Sequence, residues 1–260
     1  MYSAVYTKEV VRGLKAAGGF ISVNHETQNR INRSHTYETF DVNPSTAKLA
    51  GGAATGTELD VNILNLGTSV LEYSILGTQT ILAPVLTATG LDINMDQTNN
   101  DGVQIGHGIT AKSRHSYIIG TDGPFFFRVK MKIADVSGTD MLAVGFRKTQ
   151  AYANALATYT DIATVNVISG DIKLQTLLNN AGGVVTDTTQ NWADGETHEV
   201  AVYVSAAGVV TYKVDNAAPT ATAAFTFDTA DVVVPFLFFL NDTDVAGAVE
   251  LIEWEVGLGS

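Results

Sequence analysis

Cysteine is absent from this 260-residue chain, so neither a disulfide nor a thiolate metal site can form. That fits synthesis in a reducing cytoplasm. Proline is scarce, at five residues. Charge is scarce too: Asp, Glu, Lys and Arg make up 16% of the chain, against roughly 25% in ordinary globular domains. From Leu49 to Ala111 there is no Lys or Arg at all. The longest apolar run, Val232–Leu240, falls well short of the roughly 20 residues that span a bilayer, so no membrane role is expected. The opening residues intersperse Lys8, Arg12 and Lys15 with apolar positions, so no secretory leader is expected there. A nucleophile-elbow G-x-S-x-G, a P-loop and a dinucleotide fingerprint are all missing.

What is present is an apolar fraction of 45%, enough for a substantial core, with a net charge of −12. The charge is uneven. Residues 1–48 carry six basic groups (Lys8, Arg12, Lys15, Arg30, Arg33, Lys48) against four acidic ones (Glu9, Glu26, Glu38, Asp41). The body is correspondingly acidic and repels phosphate backbones, which argues against nucleic acid as a partner. The basic start suits an acidic partner surface, or simply a solvated arm.

Patterning divides the chain into three parts. Within residues 1–48, Val10, Val11 and Leu14 have helical spacing after Thr7 as N-cap, and Gly18-Gly19 is a stop. Asn24–Thr46 is polar and aperiodic, and reads as an extended arm ordered by a partner. Residues 49–90 open on a Gly/Ala/Thr loop. They continue with β-rich stretches at Glu58–Leu66, Ser69–Leu76 and Gln79–Leu86. Two readings stand for this part: a connecting segment or small subdomain, and the leading edge of the C-terminal domain. Residues 91–260 show the clearest periodicity. Phe125, Phe127, Val129, Met131 and Ile133 alternate with Phe126, Arg128, Lys130 and Lys132, as in a strand with one buried and one wet face. Turns at Ser169-Gly170-Asp171 and Ser205–Gly208 mark hairpins. Val232–Leu240 is apolar on both faces, and Pro235 within it predicts a bulge or an edge position. The closing strand is expected to bury Ile252, Trp254, Val256 and Leu258. Lys148–Tyr159 is Ala-rich and reads as a short helix or a long loop. The fold class is therefore all-β: an antiparallel jelly-roll β-sandwich with an extended N-terminal arm and a short leading β segment.

The stretch Trp192-Ala193-Asp194-Gly195-Glu196-Thr197-His198-Glu199-Val200 resembles the W-x-D-G-x-x-H-x-V run of concanavalin A-like and laminin-G-like sandwiches. Gly208–Asp215 is similar to the next strand of those sandwiches. Asn216 replaces the usual Gly after Asp215, and Asn also tolerates φ > 0. The stretches Gly90–Gly102, Ala134–Lys148 and Asn191–Val200 also resemble β-sandwich domains of tailed-bacteriophage structural proteins. These resemblances imply a fold and a virion context, not an activity.

Several residues invite a chemical reading. Asp92, Asn94, Asp96 and Asp101 begin like a calcium loop, since hard cations take clustered oxygen ligands. Gln97 and Val103 then stand where an EF-hand loop needs Gly and a bidentate Glu, so a solvated turn is the favoured reading. Asn241-Asp242-Thr243-Asp244 is a second acidic loop. Glu250, Glu253 and Glu255 resemble paired glycosidase carboxylates but read as a charged outward face. His198 is expected to hydrogen-bond at a strand start. His25, His35, His107 and His115 lack zinc-ligand spacing. Tyr152, Tyr159 and Trp192 are the aromatic candidates for stacking on sugar, but Trp192 already has its structural role in the resemblance above.

The sequence thus predicts no enzyme, no catalytic residue and no cofactor. It predicts a virion structural protein, a capsid decoration or cement protein made in the host cytoplasm. The expected partners are the major capsid protein and other copies of the chain, as a trimer. Lys8, Arg12, Lys15, Arg30 and Arg33 form the partner-binding arm. The alternative is a tail or fibre module that recognises a surface glycan.

Overall fold

The computed structural model describes residues 35–39, 48–50, 61–65, 70–78, 84–94, 96–111, 113, 115–137, 139–241 and 247–259. In chain order the strands are β1 (His35–Thr39), β2 (Lys48–Ala50), β3 (Val61–Asn65), β4 (Val70–Leu76), β5 (Val85–Leu86) and β6 (Leu91–Asp92). Next come β7 (Gly102–Gly106), β8 (Tyr117–Ile118), β9 (Phe125–Ile133), β10 (Thr139–Lys148), β11 (Ile162–Ile168) and β12 (Asp171–Leu177). The last are β13 (Val184–Asn191), β14 (Thr197–Val204), β15 (Val210–Val214), β16 (Val232–Asn241) and β17 (Val249–Leu258). They form two antiparallel sheets. The smaller has the order β15-β14-β9-β17-β6-β5, with β1 also on β17. The larger runs β13-β12-β11-β10-β16-β7-β4-β3-β2, with β8 also on β16. This is a jelly-roll sandwich. No helix among the described residues is long and apolar enough to cross a membrane.

The core arises from two-residue periodicity. Along β9 buried and partly buried residues alternate without interruption. Phe125, Phe127, Val129, Met131 and Ile133 meet Val200, Val202 and Val204 of β14 and Leu142, Val144 and Phe146 of β10 in one apolar cluster. Turn chemistry sets the register. Ser169 and Gly170 both take positive φ between β11 and β12, as a two-residue hairpin with right-handed twist requires. Asp215 and Asn216 do the same after β15, so the replacement of Gly by Asn leaves that turn intact.

Three strand-level expectations change. Leu251, not Ile252, enters the core. The ladder between β17 and β9 shifts at this point, pairing Leu251 with Met131 and Glu253 with Lys130. Ile252 is the extra residue of a bulge, which resets the alternation so that Trp254 and Val256 still point inward. Leu258, on the inward parity, lies past the core and is 45% exposed. Pro235 causes neither bulge nor edge. Its pairing with Phe146 is continuous, and on the other side β16 changes partner from β8 (at Val232 and Val233) to β7 (from Phe236). The missing N–H falls in that gap.

The first ninety residues contribute to both sheets. His35–Thr39, inside the segment read as an arm, pairs along β17 from Gly257 to Glu253, so this part of the segment is sheet rather than partner-ordered chain. The predicted helix and Lys8, Arg12, Lys15, Arg30 and Arg33 lie outside the described residues. Within residues 49–90, β3 and β4 extend the larger sheet beyond β7, and β5 pairs with β6 at the edge of the smaller one.

Gly145 sits mid-strand in β10, between β11 and β16. A Cβ there would lie 2.1 Å from Ala163 O and 2.8 Å from Thr164 Cα. Gly145→Ala should therefore displace β11 and cost about 1–3 kcal/mol, read as a lowered denaturation midpoint.

Candidate functional site

The outward faces of the two sheets differ in kind. On the larger sheet, residues 149–161 lie across the outer face as a strap containing one 3-10 turn, Leu156–Thr158. This resolves the Ala-rich stretch as a long loop. Its base is closed by Lys148 N donating to Asp161 O at 3.0 Å. Leu156 and Tyr159 pack on Phe236, Phe238, Ala143, Ile162, Leu76 and Leu177, a second apolar cluster on the far side of the sheet from the core.

Polar groups under the strap are spent on holding it. The Tyr159 hydroxyl donates to Gln104 Oε1. Gln104 Nε2 donates to Ala153 O at 2.5 Å, and Ala153 N donates back to the Tyr159 hydroxyl at 3.2 Å. Arg147 is fully buried. Its guanidinium lies 4.8 Å from the Tyr159 ring centroid, 5.2 Å from Tyr152 and 5.6 Å from Phe236, and Nη1 donates to Gln150 O at 2.7 Å. Burial pulls the Arg147 pKa down, partly offset by Tyr159, Tyr152 and Glu72. Burial likewise raises Glu72. The arrangement is a cation-π clamp. Tyr152 and Tyr159, expected as exposed sugar-stacking rings, are 7% and 0% exposed and belong to this clamp.

The smaller sheet presents a cleft of about 810 Å³ on its outer face. Phe126 of β9 and Tyr203 of β14 face each other in register on neighbouring strands. Their ring centroids are 5.8 Å apart and their planes 24° apart. Next to them Arg128 bridges two strands. Its Nε donates to Glu255 Oε2 at 2.7 Å on β17, Nη1 pairs with Glu199 on β14, and Nη2 lies 3.5 Å from Glu253. Lys130 Nζ lies 3.6 Å from Glu253. Burial would lower the Arg128 pKa, but Glu199 and Glu255 outweigh it and raise the value, so the guanidinium stays charged. Glu253 and Glu255 therefore lie on the outward face as ion-pair partners. Glu250 is on the same outward face, opposite Lys132, but is buried there, where the Thr87 hydroxyl donates to it at 2.7 Å and Thr89 donates as well. Sequence reasoning missed the aromatic pair. The signal was there: Phe126 interrupts the charged face of β9, and Tyr203 is the aromatic between inward Val202 and Val204.

The remaining predicted positions serve the fold. Trp192 is buried, and its Nε1 donates to Glu196 O at 3.1 Å. Asp194 Oδ1 accepts from Val136 N at 2.9 Å, and Gly195 takes φ +74°. His198 places Nδ1 2.6 Å from Asp215 Oδ2 and Nε2 3.0 Å from Glu196 Oε2, with its ring edge-on to Trp192. His107 and His115 stack edge-to-face at 4.6 Å inside the protein, where Trp254 Nε1 donates to His107 Nε2 at 2.9 Å.

Asn241, the first residue of the second acidic stretch, adjoins the first acidic loop. Asn241 Nδ2 donates to Asn94 Oδ1 at 2.9 Å and Asp101 O at 3.2 Å, and Asn94 Nδ2 donates to Gly247 O. Asp92 Oδ1 accepts from Asn94 N, and Asp101 Oδ1 from Thr78 N. Burial raises the pKa of both Asp92 and Asp101. These oxygens cap backbone and amide groups. Among the described residues no three His, Cys, Asp or Glu side chains gather as a metal site requires. Asp242 and Asp244 lie outside the described residues.

No family model matches the chain, and no curated protein matches it by sequence. Solved structures of similar layout include a Bacillus licheniformis β-glucanase (10% identity, 87% of this chain and 99% of that one, TM-score 0.46). An Emp46p carbohydrate recognition domain aligns at 6% identity over 72% of this chain and 88% of its own, with TM-score 0.49. The Caenorhabditis elegans galectin LEC-6 aligns at 13% identity over 54% and 88%, with TM-score 0.34. The fold class rests on the two sheets themselves, and no activity passes across such distances.

Arg147→Ala should open a cavity beneath the strap, cost about 2–5 kcal/mol and expose residues 149–161 to limited proteolysis. For His198, burial lowers the pKa, but the bonds to Glu196 and Asp215 outweigh it, so the folded value lies above the ordinary 6.5. Its contribution is then fully present below pH 6.5 and fades as pH rises through the folded value. The melting-temperature gap between the wild type and His198→Gln should be larger at about pH 5.5 than at about pH 8.5.

Proposed function

We propose that this chain is a non-enzymatic virion structural protein that decorates a capsid and bridges neighbouring capsid subunits. The major capsid protein is its partner, and copies of the chain associate as a trimer on the shell. The observation that carries this reading is β1. The N-terminal segment with its five cations before Ser34 joins the sandwich through an antiparallel ladder on β17, which is itself paired with β9 at the centre of the smaller sheet. A pull along β1 loads the rungs of that ladder together in shear. A segment bound to a neighbouring subunit would therefore transmit force into the sheet rather than peel from it. The bridging role also fits outward carboxylates that are neutralised by Arg128 and Lys130 rather than poised for acid–base work.

A second reading, recognition of a surface glycan, is favoured by the cleft beside Phe126 and Tyr203.

Reversing the arm's charge in the full-length chain (Lys8, Arg12, Lys15, Arg30 and Arg33 to Glu) should abolish occupancy on purified shells, with the melting temperature unchanged. Full occupancy of the variant in particle images would sink the arm-mediated reading.

A further inference from the structure

We propose that Lys148 and Asp161 condense to an intramolecular isopeptide bond, with Asp231 as proton relay, which closes the strap covalently at its base. The bond involves neither the arm nor the smaller sheet.

Topology gathers the three side chains. β10 lies between β11 and β16 and runs antiparallel to both, so its last residue meets the starts of its two neighbours. Lys148 ends β10, Asp161 immediately precedes β11, and Asp231 immediately precedes β16. Lys148 Nζ contacts Asp231 Oδ1 and lies 3.6 Å from Asp161 Oδ2. The backbone pins the same junction. Lys148 N donates to Asp161 O at 3.0 Å, and Thr149 N donates to Val232 O at 2.8 Å.

Asp161 and Asp231 are 0% and 6% exposed, yet the Oδ2 of each receives no hydrogen bond. Buried carboxylates ordinarily collect donors, so two bare oxygens around one amine call for an explanation. A reaction between these groups supplies one. Asp161 Oδ1, by contrast, accepts from Asn179 N at 2.8 Å.

The hydrogen bond to Asp231 raises the Lys148 pKa, so the ammonium is the resting form. Asp231 takes a proton from it and passes the proton to Asp161 Oδ2, which gives a neutral amine and an un-ionised acid. Nζ then attacks Cγ of Asp161, the C–N bond forms, and the carbonyl electron pair moves onto Oδ1. The Asn179 N–H is already in place to stabilise that oxyanion. A second nitrogen proton follows the same relay to Oδ2, the Cγ–Oδ2 bond breaks, and water leaves. One ammonium and one carboxylate become one amide and one water. Asp231 ends as it began, and no oxidant or cofactor takes part. Between free molecules in water this condensation is uphill. Groups held in contact react at effective molarities of roughly 10⁵–10⁸ M, which reverses the balance. The product is a closed ring of residues 148–161, which keeps Leu156 and Tyr159 on Phe236 and Phe238.

The test is the intact mass of the full-length wild type in denaturant, followed by peptide mass spectrometry. The expected result is a chain lighter than its sequence by one water, with a peptide in which Lys148 is joined to Asp161. Lys148→Arg keeps the cation and Asp231→Ala removes the relay. Both should stay folded by circular dichroism and show the full sequence mass. A wild type at the full sequence mass overturns the proposal. So does a water loss that persists in Lys148→Arg, which marks a succinimide at an aspartate, or a bond to Asp231 in place of Asp161. Asp231→Ala cross-linked to the wild-type extent overturns the relay.

Discussion

Burial of the larger sheet on both faces is the constraint on which the rest of this structure depends. β10 and β16 carry apolar residues on both sides, so packing one side into the sandwich leaves Phe236, Phe238 and Ala143 facing out. Leaving that surface against water would cost about 25 cal/mol per Å² of apolar area. The chain covers it with its own residues 149–161. Covering it brings backbone carbonyls and amides into an apolar layer, and Arg147, Gln104 and Gln150 are the groups that satisfy them.

That arrangement assigns roles to the two faces. With the strap in place, the Tyr159, Gln104 and Arg147 side chains of the larger sheet, of the kind a sugar site would want, are already engaged. Among the described residues, the outer face of the smaller sheet is only partly covered along β9 and β14. Its outer face keeps a grid of alternating charges, with Phe126 and Tyr203 as the apolar interruption.

The resemblance at Trp192–Asp215 has a physical account that requires no ligand. The Trp indole fills the core and donates to Glu196 O, Asp194 caps Val136 N, and Gly195 makes the turn that carries His198 to Asp215. Each residue of the run closes a local backbone or packing problem where β13 hands over to β14. A signature of this kind marks a fold because the problem it solves belongs to the fold.

The sequence by itself determined the strands, their inward faces and the turns, because two-residue periodicity and positive-φ residues such as Asn216 are local properties. It also marked Trp192 and His198 as structural. It could not place Ile252 in a bulge, since the slip depends on how β17 meets β9. Nor could it show that Pro235 falls where β16 changes partner. Tyr152 and Tyr159 looked like exposed loop aromatics because nothing local distinguishes a free loop from a strap; only the apolar far side of β10 and β16 makes that distinction. The cleft was decided entirely by tertiary structure. Phe126, Arg128, Glu199, Tyr203 and Glu255 come from three strands far apart in the chain, and only the pairing of β14, β9 and β17 makes them neighbours.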